Sequence, residues 1–80
     1  MAVDLSAMRK LFQDGALEAA VAAPAPMEAG SWVFSVTHID GTIDYMTIAR
    51  STRQKIYKSL DAVAADAERI GFMEVRLQVA

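Results

Sequence analysis

Residues 31–50, SWVFSVTHIDGTIDYMTIAR, decide the fold. Asp40-Gly41 lies between two runs rich in β-branched and aromatic residues. That dipeptide is the strongest short-range hairpin signal, because a type I′ turn needs φ > 0 at both central positions. A two-residue loop fixes the register, so that His38 faces Ile43, Val36 faces Tyr45, Phe34 faces Thr47 and Trp32 faces Ala49. One face then carries Trp32, Phe34, Val36, Ile43 and Tyr45 and needs a cover. The other carries Ser35, Thr37, Asp44 and Met46 and is half wet.

Upstream of the hairpin, residues 16–30 read two ways. Alanine propensity favours helix through about Ala22, but Gly15 interrupts it and Pro24 and Pro26 forbid its continuation. Leu17, Ala19, Val21, Ala23 and Ala25 also alternate as one face of a strand would. The balance falls to an extended, edge-type strand over about Glu18–Ala25, since edges tolerate proline. Further upstream, Met1 to Asp14 reads as a helix. Asp4 caps it, Leu5, Met8, Leu11 and Phe12 form its apolar stripe, and Gly15 closes it.

Downstream, Gln54 to Lys58 reads as a strand with Ile56 inward and Lys55 and Tyr57 on the other side. Ser59 is an N-cap, and Leu60, Val63, Ala64, Ala67 and Ile70 recur at helical spacing. Asp66, Glu68 and Arg69 lie off that stripe, on what reads as the solvated side. Gly71 stops the helix, and Met73, Val75, Leu77 and Val79 then alternate with polar residues as a final strand. Residues 1–80 therefore predict a single α+β domain, a small two-layer sandwich in the order α-(β)-β-β-β-α-β. Its sheet has four or five strands, mostly antiparallel, with two helices on one face.

A chain of this size buries only about 60% of the surface it exposes when unfolded. It contains no cysteine, which excludes disulfides and thiolate metal sites and fits a reducing, cytoplasmic setting. No apolar run reaches the ~18–20 residues of a spanning helix. Asp14 and Glu18 disqualify the alanine-rich stretch from residue 19 to 27 as the apolar part of a signal peptide. The formal charge of −2 argues against bulk electrostatic coating of nucleic acid. The charge is unevenly spread, however. Arg50, Arg53, Lys55 and Lys58 fall in nine residues without an acid, while the other four basic residues face all ten acids.

Few residues offer chemistry. His38, beside Asp40 and within reach of Asp44, has the makings of a general base and its orienter. No cysteine and no nucleophile-elbow serine accompanies it, and its place near a turn suits a structural role. Neither HxH nor HExxH spacing occurs, and the glycines form no phosphate-binding loop. The chain therefore predicts no catalytic residue, metal ligand or cofactor. Trp32, Phe34 and Tyr45 read as core aromatics. The opposite face, with Met46 and Ile48, becomes a dimer or partner surface if nothing covers it. Arg50, Arg53, Lys55, Tyr57 and Lys58 remain the one constellation with a binding reading, cations for phosphates or an acidic partner and an aromatic ring for a base. The structural reading beside it is that lysine and arginine on a short strand discourage edge-to-edge pairing.

The segment from Ala49-Arg50 through Arg53 and Tyr57-Lys58-Ser59-Leu60-Asp61-Ala62 to Ile70-Gly71-Phe72 resembles small accessory proteins of plasmids and integrative elements, some of them partition-associated. The resemblance covers roughly residues 30–79 and follows a strand, cap, helix and stop. It implies a fold more than an activity and carries no catalytic residues over. The expectation is a small non-enzymatic protein of a mobile element, an accessory or inhibitor acting through another protein, with a homodimer among the forms it could take. The alternative is a nucleic-acid-binding module built on the basic strand 50–58.

Overall fold

The computed structural model describes residues 2–26, 28–48 and 53–78. Among them the chain forms strand β1 (Ala2–Val3), helix α1 (Leu5–Gln13), strands β2 (Leu17–Pro24), β3 (Trp32–His38), β4 (Ile43–Met46) and β5 (Ile56–Tyr57), helix α2 (Leu60–Ile70) and strand β6 (Arg76–Leu77). It is the α+β arrangement expected, a mostly antiparallel sheet with two helices. The strand order is β1-β4-β3-β2-β6, and β5 also pairs with β3.

β3 is the central strand. β2 runs antiparallel along its whole length, from Pro24 opposite Trp32 to Leu17 opposite His38. Its other edge is shared. β4 pairs with Ser35 to Thr37, and β5 takes over at Trp32 and Val33. The two outermost pairings, β1 with β4 and β6 with β2, are parallel.

The hairpin forms one residue away from the expected register. Val36 faces Asp44, Ser35 faces Tyr45 and Thr37 faces Ile43. Its loop has three residues, Ile39 to Gly41. The Gly41 N–H donates to the His38 carbonyl at 2.9 Å, and the His38 N–H donates to the Thr42 carbonyl at 2.8 Å. Gly41, at φ +92°, supplies the left-handed residue that closes such a loop. Asp40 secures it by accepting from both the backbone N–H and the hydroxyl of Thr42, at 3.0 and 2.7 Å.

A one-residue slip exchanges the two faces of a strand. Asp44 and Met46 therefore join Phe34 and Val36 on the inner face, and Ile43 and Tyr45 turn outward and are half exposed. The expected placement of Tyr45 in the core is corrected by this shift. Phe34, Val36 and Met46 are buried with Ala20 and Ala22 of β2, Met8 of α1, and Val63, Ala67 and Ile70 of α2. Both helices thus cover one face of the sheet.

Other elements depart from expectation for local reasons. Asp4 caps α1 as expected, accepting from the Ala7 N–H at 3.0 Å. The two residues ahead of it extend along β4 instead of joining the helix. The alanine segment is a strand, but not an edge, because β6 pairs with it at Val21 and Ala22. Pro24 is tolerated because it ends the strand. β5 has the opposite phase to that expected. Ile56 faces out, and Tyr57 is buried opposite Trp32. Among the described residues the final strand comprises two exposed residues, Arg76 and Leu77, and Met73 is fully exposed.

Candidate interaction surface

The basic constellation is largely absorbed by the fold. Arg50 lies outside the described residues. Arg53 is exposed, and its carbonyl accepts from the Ile48 N–H at 2.9 Å. The three remaining members face acids or the core. Lys58 pairs with Glu28 at 2.9 Å. Lys55 reaches Asp66 Oδ2 at 3.0 Å and sits 4.9 Å from the Tyr57 ring centroid. The Tyr57 hydroxyl donates to the same oxygen at 2.6 Å, and Arg69 donates to Oδ1 at 2.9 Å.

Asp66 is therefore not on a solvated face, as its place off the apolar stripe suggested. It is buried between α2 and β5 and accepts from a tyrosine, a lysine and an arginine. Burial pushes its carboxyl up. The hydrogen bonds from Tyr57 and Lys55, with the charges of Lys55 and Arg69, outweigh that and hold it below its ordinary value. Burial, reinforced by Asp66, pushes the Tyr57 hydroxyl well above its ordinary value. The Tyr57 ring lies in the core with its centroid 6.2 Å from that of Phe34. It is not presented for stacking on a base.

The shifted hairpin brings His38 and Asp44 together. His38 Nε2 and Asp44 Oδ2 are 2.5 Å apart, with side chains 16% and 10% exposed. In the expected register the two would point to opposite faces. Asp40 does not join them, because its carboxylate is held by Thr42. Among the described residues no group of three or more histidines or carboxylates is placed to hold a metal ion.

A concavity lies elsewhere, along the flank of α2. A groove of about 750 Å³ runs between the helix and the segment from Gly71 to Leu77, with Ala22 of β2 also lining it. Its apolar wall combines Leu60, Val63, Ala64 and Ala67 of α2 with Phe72, Met73, Val75 and Leu77. Leu60 is 40% exposed, Leu77 51% and Met73 100%. The charged residues lining it are Asp61, Glu68 and Glu74, all acidic.

Gly71 shapes the end of this groove. Its φ is +129°, and a Cβ there would stand 2.6 Å from the Phe12 ring of α1. Phe12 in turn packs edge-on against Phe72, with centroids 4.9 Å apart. The chain can therefore leave α2 closely enough to bring Met73 to Leu77 back past it.

The groove is not legible in the sequence, because the periodicity places its residues inward. Leu60 and Ala64 fall on the apolar stripe of α2, and Met73 and Leu77 on the apolar side of an alternating strand pattern. The stripe itself is no wider than the apolar face of an ordinary core-facing helix, so its width gives no signal of the groove. The outer sheet face also carries exposed apolar residues, Ile43, Tyr45 and Ile56. Met46, expected on that face, is buried on the other.

Comparison with protein-family models, with curated proteins and with solved structures returns no match. Among the described residues no helix is long and apolar enough to cross a membrane.

Proposed function

We propose that this chain is a small, non-enzymatic, cytoplasmic interaction protein that acts through contacts with another protein, as an accessory or inhibitor belonging to a mobile element. The groove beside α2 is the observation that carries this reading. A chain with so small a core leaves Leu60, Met73 and Leu77 around a concave apolar surface instead of adding them to that core. Burying a side chain of that kind contributes about 1.5–3 kcal/mol. A partner that fills the groove gains what the fold leaves unused. The mobile-element setting rests on the strand-cap-helix resemblance over residues 30–79.

The nucleic-acid alternative draws less support. Lys55 and Lys58 are paired with Asp66 and Glu28, and Tyr57 is buried. The test is co-purification from the native host with the intact chain, with a Met73→Ser/Leu77→Ser variant and with a Lys58→Ala variant. The reading predicts a protein recovered with the first and third and lost with the second. Recovery that is indifferent to the groove variant, or a nucleic acid lost with Lys58→Ala, contradicts it.

A further inference from the structure

We propose, resting on the protein-binding reading above, that the groove beside α2 receives a cationic amphipathic helix of the partner. The fold itself argues for a helical occupant. α2 already packs against one helix, α1, and the groove leaves another part of its surface open to a second. The wall that α2 presents there includes Ala64 and Ala67, whose small side chains let a second helix axis come close. Met73, fully exposed and flexible, can fold over whatever lies in the groove. Apolar anchors spaced along one helix face are what such a groove reads.

Charge decides the class of helix. Asp61, Glu68 and Glu74 line the groove, and among the described residues no lysine or arginine does. Among the described residues none of these three carboxylates has an ion-pair partner, whereas Lys55, Lys58 and Arg69 are all paired. Acids left without a counter-charge around an apolar wall attract a helix with cations flanking its apolar stripe, and repel one flanked by acids.

The test uses three synthetic peptides, followed by amide NMR of the full chain. One is a leucine/lysine amphipathic helix, one its leucine/glutamate counterpart, and one the leucine/lysine composition in scrambled order. The first is expected to shift the amides of Ala64, Glu68, Met73 and Leu77, with affinity falling steeply with salt. Glu68→Lys/Glu74→Lys, at two exposed positions, is expected to weaken that peptide about tenfold and to admit the glutamate peptide.

Equal binding by the scrambled peptide, or preference for the glutamate peptide, overturns the inference. In the second case a helix still occupies the groove, so the protein-binding reading stands while the partner's charge is wrong. Shifts from no peptide also overturn it. If the groove-dependent co-purification succeeds in that case, the partner is not a helix. If it fails as well, the protein-binding reading falls too.

Discussion

The two flanks of α2 differ in what the fold leaves unsatisfied. On the β5 flank, Asp66 accepts from Tyr57, Lys55 and Arg69, and every polar group drawn inward there has a partner. On the other flank the helix meets an open groove, where exposed apolar side chains stand among carboxylates that have no ion-pair partner among the described residues. Lys55 and Lys58, from a locally basic stretch of sequence, are thus tied to acids of the fold. The acidic residues of α2 that face the groove remain available. Local charge density does not locate a binding surface until the charges that the fold neutralises have been removed from it.

The largest effect should come from breaking the satisfied flank. Asp66→Ala leaves the buried Tyr57 hydroxyl without its acceptor and releases two cations. A loss of about 2–3 kcal/mol is expected in urea unfolding, against a total of roughly 4–12 kcal/mol for a chain of this length. Gly71→Ala, at the end that both flanks share, forces an unfavourable φ and pushes Phe12 aside. It should cost about 1–3 kcal/mol and broaden the Phe12 and Phe72 ring signals in NMR.

Acid sharpens the comparison further. Asp66 has its carboxyl held below the ordinary 3.8, so its contribution is complete above that value and is lost as pH falls through the lower folded value. Urea midpoints of the intact chain and of Asp66→Asn should therefore differ most at neutral pH and converge below pH 3.8. The smallest effect belongs to the open flank. Met73→Ser/Leu77→Ser should change stability by less than about 0.5–1 kcal/mol, because Met73 is fully exposed and Leu77 half exposed.

Much of this architecture is legible in the residues. The caps at Asp4 and Ser59 accept from Ala7 and Ala62 as their types dictate. The hairpin, α2 and an extended alanine segment are all where the pattern places them. Phase is what pattern cannot supply. Asp-Gly suits a two-residue loop, but Gly41 serves equally as the last residue of a three-residue loop, and the bonds from Thr42 to Asp40 favour the longer one. That single residue moves Tyr45 out, Met46 in, and Asp44 onto His38.

β5 shows the same limit. Two residues carry no period, so nothing local chooses between Ile56 and Tyr57 as the inward one. Asp66 decides it from α2, by offering the Tyr57 hydroxyl an acceptor at 2.6 Å. The groove was illegible for a related reason. Met73, Val75 and Leu77 alternate like a strand with a buried face, but among the described residues of that segment only Arg76 and Leu77 pair as a strand, at Val21 and Ala22.

The most direct test of this account measures the affinity of the co-purified partner for two folded variants side by side, Asp66→Asn and Met73→Ser/Leu77→Ser. The account predicts that Asp66→Asn, though less stable, binds like the intact chain at a temperature where both are folded. The groove variant should keep its urea midpoint and lose binding by tenfold or more, about 1.4 kcal/mol. Undiminished binding by the groove variant, or a loss confined to Asp66→Asn, would contradict it.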